Sequence, residues 1–373
     1  MKSTRIDISE YSAFNEIVGD FLSQRPEIES YGPSLYSIKS VEEAISDRKG
    51  FPVDRTSLCN VIRSQYQESG IDLSKEKKLA SQISLLEDEN TYSVTTGHQL
   101  CLFTGPLYFP IKILQVIRMA DDLNRELKGS KVVPVFWMAS EDHDFEEINH
   151  VHLFNQTLEW KDYQGGMVGD YSCDTISDVL KNMTEILGDS ENALSLKELF
   201  SKAYRSGNSL SAATRILVHH LFGEKGLVIV DGNSAKLKQL FIPYLKKEIE
   251  GNETFNAVQE TNSSLSKKYK IQVNPRVVNL FYLRPNSRLR IDVRDGEYFT
   301  EGGEVKWNQS DLVKEMVDFP SRFSPNVILR PVYQEVILPN IAYVGGPGEL
   351  AYWLQLKKSF TGFKVPYPLL SLR

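Results

Sequence analysis

The sequence has little cysteine and little histidine, with three cysteines and six histidines in 373 residues. Cys59, Cys101 and Cys173 lie far apart, are odd in number and include no CxxC pair. We therefore expect neither a disulfide framework nor a thiolate zinc site. This cysteine usage is typical of a protein that works in a reducing compartment.

Long apolar runs and an excess of positive charge are also missing. The N-terminal MKSTRIDISEYSAF has no apolar core of signal-peptide length, and no later stretch approaches the roughly 20 apolar residues that span a bilayer. The 43 Lys and Arg are outnumbered by 49 Asp and Glu, which gives a net charge of −6. We predict a cytoplasmic protein that binds small molecules and neither nucleic acid nor membranes.

Three apolar stretches rich in β-branched and aromatic residues indicate strands of a parallel sheet, namely TYSVTT, KVVPVFWMA and LVIVDG. The first two flank a segment with helical apolar spacing, and strand, helix, strand is a βαβ unit. The fold class predicted is α/β, with a parallel sheet interrupted by helical and antiparallel connecting segments.

The residue pattern changes along the chain and predicts six ranges. Polar residues with helical spacing favour an N-terminal helical segment packed on a core. The ranges are 1–90 for that segment, 91–159 for the first half of the core, 160–225 for a helical insertion, 226–252 for a core strand and helix, 253–320 for a second, antiparallel insertion, and 321–373 for the last core strands and a glycine loop.

Ligands of open parallel sheets bind beyond the carboxyl ends of the strands, so the loops that follow the strands are candidate sites. The first loop is TTGHQLCLFTGP. Its glycines allow close approach to a ligand, and its neutral side chains offer hydrogen bonds. The candidate ligand contacts are Thr96, Gly97, Gln99, Thr104 and Gly105. His98 is a candidate acid–base group, although a loop histidine is more often structural.

The second loop, ASEDHDFEEINHVH, places ionisable residues directly after a buried strand. Glu141, Asp142, His143 and Asp144 suggest groups that handle protons, a cation or a ligand ammonium. The spacing is not HExxH and no cysteine joins it, so we predict no resident metal. The alternative is a solvated acidic turn that begins a helix, with an aspartate as its cap.

The third loop, YVGGPGELAYWLQ, precedes a helix and could offer free backbone N–H groups to a phosphate or carboxylate. Its candidate binding residues are Gly345, Gly346, Gly348 and Glu349. The preceding FSPNVILRPVYQEVILPN is interpreted as strand, which would bring Arg330, Gln334 and Asn340 to the same edge of the sheet.

Four long strings together resemble the cysteine-adding ligases of bacillithiol biosynthesis over nearly the whole chain. They are TTGHQLCLFTGPLYFPIKI, VPVFWMASEDHDFEEINHVHLF, FSPNVILRPVYQEVILPNIAYVGGPGELAYWLQL and VPYPLLSLR. The resemblance implies a Rossmann-like core with inserted segments. It also implies an amide-forming ligase that joins L-cysteine through its carboxyl to glucosaminyl malate, the last step of the pathway.

An amide ligase also agrees with the residues themselves. A free carboxylate is a poor acyl donor, so activation by ATP or another nucleotide is the simplest route. We expect His143 and Asp144, with Asp142 and His98 beside them, to handle protons. The alternatives are a metal-assisted amino-sugar hydrolase or deacetylase and a small-molecule binding protein without catalysis.

Two features differ from the resembling family. Its members often carry glutamine where this chain has His98, which argues against a mechanism that needs this imidazole. They also continue into a helical coiled coil used for dimerisation, and no sustained a/d heptads occur from Met1 to Arg373. From this pattern we expect a monomer or weak self-association.

Overall fold

In the computed structural model, which describes residues 14–373, the chain forms two units that are each assembled from separate stretches of sequence. Unit 1 comprises the described part of Met1–Val53 with Leu240–Phe281 and Arg290–Arg373, and unit 2 comprises Asp54–Gln239 with Tyr282–Leu289. The predicted N-terminal range 1–90 is thus divided between the units after Val53.

The secondary structure alternates helices and strands. The helices are α1 (Glu16–Leu22), α2 (Ile38–Lys49), α3 (Arg55–Glu68), α4 (Lys77–Leu85), α5 (Tyr108–Glu126), α6 (Ser177–Leu187), α7 (Glu191–Ala203), α8 (Leu210–Phe222), α9 (Ala235–Gly251), α10 (Glu253–Leu265), α11 (Gln309–Asp318), α12 (Arg330–Ile337), α13 (Pro347–Trp353) and α14 (Lys357–Phe363). The strands are β1 (Thr91–His98), β2 (Lys131–Met138), β3 (His150–Leu153), β4 (Gln156–Glu159), β5 (Val228–Asp231), β6 (Leu280–Arg284), β7 (Ser287–Arg294), β8 (Glu297–Thr300), β9 (Lys306–Trp307), β10 (Phe323–Pro325), β11 (Asn340–Gly345) and β12 (Leu369–Leu372). Among the helices of the described residues, none is long and apolar enough to cross a membrane.

The parallel strands β1, β2 and β5 form the centre of unit 2, with β2 between the other two. Every residue of β2 after Lys131 is buried, as expected for a strand covered on both faces. Pro134 has no N–H to donate, and the β2–β5 ladder begins only at Val135, so the proline costs no hydrogen bond on that side. The predicted α/β class with parallel strands is confirmed.

The connecting segments of unit 2 are a hairpin and a group of helices. β3 and β4 pair antiparallel, and α6, α7 and α8 lie between this hairpin and β5. The long helix α5 joins β1 to β2 and buries one face, including Ile113, Val116 and Leu123. The helix was predicted from the spacing of Ile111, Leu114, Ile117 and Met119. Of these, Ile117 and Met119 are buried, whereas Ile111 and Leu114 are exposed, so the helix is confirmed but its buried face was placed wrongly.

Unit 1 contains the parallel pair β11 and β12 and the antiparallel strands β7, β8 and β9. The prediction that FSPNVILRPVYQEVILPN is strand was wrong, because its centre is the helix α12 and only its two ends, Phe323–Pro325 and Asn340, lie in strands. All residues of α12 after Arg330 are buried, so the helix has no polar face to reveal its period. Pro331 occupies its first turn, where a proline is tolerated.

Candidate active site

Three loops of unit 2 meet because the strands that precede them end in register. His98 pairs with Met138, and Met138 pairs with Asp231. The N–H of Ala139 continues the ladder by donating to the carbonyl of His98 over 3.0 Å. The residues after these three positions therefore form one group at the carboxyl edge of the sheet, where open parallel sheets bind their ligands.

Asp231, at the end of β5, is joined to the loop after β2. Its Oδ1 accepts from the Ser140 hydroxyl over 2.5 Å and from the N–H of Asn233 over 2.8 Å. Burial raises the pKa of Asp231, and the hydrogen bond from Ser140 opposes that rise. The pKa of Asp170 is also raised, first by burial and then by the charge of Asp231. The edge of the sheet thus holds two carboxyl groups with raised pKa values.

Glu141 forms an ion pair with Lys238, near the start of α9. The Nζ of Lys238 lies 2.5 Å from Oε1 of Glu141, and the two side chains are 4% and 14% exposed. The same ammonium donates to Oδ1 of Asn233 over 3.0 Å. The carboxylate predicted to contact a ligand is therefore engaged by a buried lysine within the protein.

Asp142 lies at the centre of a second set of hydrogen bonds. Its Oδ2 accepts from Nε2 of Gln99 over 2.8 Å, and its Oδ1 accepts from the N–H of His143 over 2.7 Å. Burial alone would raise the pKa of Asp142, but the hydrogen bonds from His143 and Gln99 and the nearby charge of Arg288 lower it well below its usual range. Gln99 also donates to Oε2 of Glu147 over 2.6 Å, so one amide bridges two carboxylates.

His143 contacts a residue that is distant in sequence. Its Nδ1 lies 3.0 Å from Nη1 of Arg288 and 3.5 Å from Oδ1 of Asp142. Arg288 belongs to the short stretch Tyr282–Leu289 that the β6–β7 turn contributes to unit 2. Three charged or ionisable groups thus converge at the first turn after β2.

Asp144 is exposed and lines a cleft of about 990 Å³ together with His143, His150, Glu159 and Lys161. No helix begins at Asp142 or Asp144, since residues 139–149 form turns and irregular backbone before β3. A smaller cleft of about 490 Å³ is lined by Gln99, Gly105 and Glu147, and His150 borders both. These volumes suit small organic ligands.

The remaining residues of the first loop mainly serve its packing. The side chain of Thr96 is fully buried, and the carbonyl of Gly97 accepts from the buried Lys112 ammonium over 2.5 Å. Thr104 has a positive φ of 75°. Gly105 also has a positive φ, of 58°, and a Cβ there would collide with Cys101. The contacts of Gly97 with Lys112 and of Gly105 with Cys101 therefore account for these two glycines without a ligand.

His98 packs between aromatic rings. Its ring centroid lies 5.4 Å from that of Tyr108 and 4.8 Å from that of Phe109. Its Nδ1 is 3.0 Å from the carbonyl oxygen of Gln99, to which it can only donate. This environment favours the structural alternative for His98.

The residues predicted from the third loop and its neighbour belong to unit 1. Glu335, which the sequence did not single out, accepts from Gln334 over 2.9 Å and from Asn340 over 2.8 Å. Arg330 donates to Oε1 of Gln334 over 3.0 Å. The amides of Gln334 and Asn340 therefore bind a buried carboxylate of the protein itself.

The glycine loop of unit 1 is closed by its own glutamate. Oε2 of Glu349 accepts from the N–H of Gly346 over 2.7 Å, and Oε1 accepts from the Tyr343 hydroxyl over 2.6 Å. Gly345 is the last residue of β11, and Gly348 lies in the seven-residue helix α13. A carboxylate at this helix start occupies the position expected for an anionic ligand.

Sequence reasoning missed Ser140, Asp231, Lys238 and Arg288. Asp231 had a usable signal, because it ends the buried run LVIVD in the same way that Asp142 follows VPVFWM. No sequence signal indicated Lys238 or Arg288, since each approaches the loop from a distant element whose position depends on tertiary packing. Within residues 14–373, no three His, Cys, Asp or Glu side chains come together as a metal ion requires.

The family model and the similar proteins that match this chain all point to the same family. A family model described as "Bacillithiol biosynthesis BshC, N-terminal Rossmann-like domain" matches residues 1–373. A "Putative cysteine ligase BshC" of Flavobacterium johnsoniae is 41% identical over 362 residues, which cover 96% of this chain and 68% of that protein. Proteins of the same name from Christiangramia forsetii and Bacillus cereus are 40% and 29% identical over 100% and 94% of this chain, and over 70% and 67% of their own lengths. The predicted Rossmann-like fold and the resemblance are thereby confirmed.

Proposed function

The chain belongs to the BshC family of bacillithiol biosynthesis, whose relatives are named as cysteine ligases, and we propose that it joins the carboxyl of L-cysteine to the amino group of glucosaminyl malate. The product of this reaction is bacillithiol. The activity is that of a ligase that forms an amide bond.

The observation that carries this proposal is the cluster of Asp142, His143 and Arg288 beside the exposed Asp144, at the edge of a cleft of about 990 Å³. An amine attacks an acyl carbon only as the free base, so a general base must take its proton. Asp144 is exposed and lines the cleft, which suits that role. Lys161, in the same cleft, offers a cation to the carboxylates of the malate portion.

Activation of the cysteine carboxyl by ATP or another nucleotide is part of the proposal, because an unactivated carboxylate does not acylate an amine at a useful rate. We assign no phosphate contact to the loop at Gly345–Gly348, since the Glu349 carboxylate already accepts from Gly346. A bound nucleotide would supply the leaving group. The cytoplasm is the proposed location, and it agrees with three unpaired, buried cysteines.

The test is incubation of the purified chain with cysteine, glucosaminyl malate and ATP, followed by mass spectrometry of the thiol product. Asp144→Asn should retain the fold and lower product formation by ~10²–10⁴-fold, the usual worth of an acid–base group. Asp121→Asn, at an exposed position of α5, is the matched control and should leave the rate unchanged. Equal turnover by wild type and Asp144→Asn would remove Asp144 from the mechanism.

The rival proposal is a metal-assisted amino-sugar hydrolase built around Asp144, His143, His150 and His152, of which the first three line one cleft. Metal analysis separates the two, because a resident zinc of the hydrolase would be stoichiometric. We expect far less than one zinc per chain. Stoichiometric zinc that disappears in both His143→Gln and His150→Gln would favour the hydrolase.

A further inference from the structure

We propose that Arg288 is a positioning residue that holds His143 as a neutral imidazole with its proton on Nε2. In this state His143 serves the reaction as a hydrogen-bond donor to a substrate oxygen and not as a base. The role in the reaction rests on the proposed function, whereas the protonation state of the ring does not.

The direction of the hydrogen bond between the two side chains follows from the chemistry of arginine. A guanidinium has five N–H donors and no acceptor. The 3.0 Å contact between Nη1 of Arg288 and Nδ1 of His143 is therefore a hydrogen bond only if Nδ1 accepts. A neutral imidazole that accepts at Nδ1 carries its proton on Nε2.

Asp142 provides the competing arrangement. Its Oδ1 lies 3.5 Å from Nδ1 of His143, a contact that helps to lower the pKa of Asp142 but is longer than the 3.0 Å contact with Arg288. The same Oδ1 already accepts from the backbone N–H of His143 over 2.7 Å. A proton on Nδ1 would point at the Arg288 guanidinium, which cannot accept it. To donate that proton to Asp142, the ring would have to rotate away from Arg288. The observed distances favour the first arrangement.

Close backbone packing fixes the turn that carries Arg288. A Cβ added to Gly165 would lie 2.5 Å from the carbonyl oxygen of Asn286, and one added to Gly166 would lie 2.9 Å from the backbone nitrogen of Ser287. Both glycines have a positive φ, of 76° and 72°. The loop at Gly165 and Gly166 thus seats the β6–β7 turn directly before Arg288, and this packing is independent of the arginine side chain.

The chemical consequence is a division of roles within the loop after β2. When an amine attacks an acyl carbon, negative charge develops on the carbonyl oxygen, and an oriented N–H donor stabilises it. A neutral imidazole can supply that donor. The amine proton then goes to a carboxylate, for which Asp144 is the candidate in the same cleft.

The first test measures the ring directly. Nitrogen-15 NMR of histidine-labelled protein distinguishes protonated from unprotonated ring nitrogens, and His143→Gln identifies the His143 signals by their loss. Wild type should show an unprotonated Nδ1 and a protonated Nε2. Arg288→Met, which cannot donate, should give a mixture of the two neutral tautomers, whereas Arg288→Lys should restore the wild-type pattern.

A matched control lies on the same strand. Arg290 lies two residues after Arg288 on β7, and its Nη2 is 3.8 Å from Oε2 of Glu301. Arg290→Met should therefore leave the His143 signals unchanged. A protonated Nδ1 in the wild type, or identical His143 spectra in wild type and Arg288→Met, would overturn the inference.

The second test is kinetic. Arg288→Met should lower the rate of product formation by ~10²-fold, as expected when an oriented donor is lost, and Arg288→Lys should recover part of it. An Arg288→Met enzyme with the wild-type rate and an altered tautomer would show that His143 has no part in the chemistry. If wild type forms no product, the proposed function fails while the NMR result still decides the role of Arg288.

Discussion

Nη2 of Arg48 lies 2.7 Å from Oε2 of Glu335, and the two side chains are 1% and 0% exposed. Arg48 also donates to the carbonyl oxygens of Leu338 and Asn340. The pair therefore connects α2 to α12 and to the start of β11 within unit 1. Charges withdrawn from water in this way are stable only while each keeps its partner.

Arg48→Met should strongly destabilise unit 1. The substitution leaves the Glu335 carboxylate buried without a cation and removes donors from two carbonyls, a change that typically costs ~3–5 kcal/mol in the free energy of unfolding. Urea denaturation near neutral pH measures the loss. Lys39→Met is the matched control, because Lys39 and Glu43 form a pair at 3.8 Å whose side chains are 86% and 58% exposed, and it should change little. Equal stability of the two variants would contradict the prediction.

The stability of the protein should depend on pH through Glu335. Burial raises the pKa of this carboxyl from 4.5 to about 7, although the charge of Arg48 opposes the rise. Between these values the native state keeps a proton that the unfolded chain has lost, so the contribution of Glu335 to stability falls as pH rises from 4.5 through about 7. Glu335→Gln cannot titrate. Urea denaturation at several pH values should therefore show its stability rising relative to wild type across this window, and a constant difference would argue against the raised pKa.

His98→Gln should have a mild effect on product formation. The imidazole packs against Tyr108 and Phe109 and donates to the carbonyl of Gln99, and a glutamine amide can also donate to a carbonyl. We expect a loss well below the ~10²-fold typical of a missing acid–base group. Product formation assayed beside Asp144→Asn gives the comparison. Complete inactivity of a folded His98→Gln enzyme would show that the imidazole has a chemical role.

Gly105→Ala should destabilise the loop after β1. The glycine has a positive φ of 58°, and an added Cβ would collide with Cys101. Gly129→Ala is the control, because Gly129 has a positive φ of 79° with nothing within 4 Å of an added Cβ. Both substitutions place a Cβ on a residue with positive φ and so carry a similar backbone strain. We expect Gly105→Ala to lower the free energy of unfolding by a further ~1–3 kcal/mol through overpacking. Thermal unfolding of the two proteins measures the difference, which would vanish if a ligand rather than Cys101 required the glycine.

The carboxyl edge of the sheet could be predicted from the sequence because its signals are local. The run KVVPVFWM is short and rich in β-branched and aromatic residues, which favours a strand covered on both faces, and parallel strands bring the residues after them to one edge. This argument grouped the loops that follow β1 and β2 as one candidate site, and in the structure Gln99 of the first loop donates to Asp142 of the second.

Contacts made across the sequence could not be predicted in this way. Arg288 and His143 are in contact although they are 145 positions apart in sequence. The sequence around each residue contains no pattern that indicates the other as its partner. The buried helix α12 was mistaken for strand because burial on all sides removed its period. The closure of the glycine loop had a readable sign, since Gly346 and Glu349 have the spacing of a helix N-cap and its glutamate.

The order of the chain segments delays the folding of unit 1 during synthesis. The ribosome completes Asp54–Gln239, the continuous majority of unit 2, before it makes Leu240–Phe281 and Arg290–Arg373, which unit 1 requires. At about 5–20 residues per second, the described helices before Val53 wait on the order of 10–40 s for the first of their partner segments. During that interval the apolar faces of α1 and α2, including Phe21 and Val41, lack their native cover, and transiently exposed apolar surface of this kind is prone to aggregation.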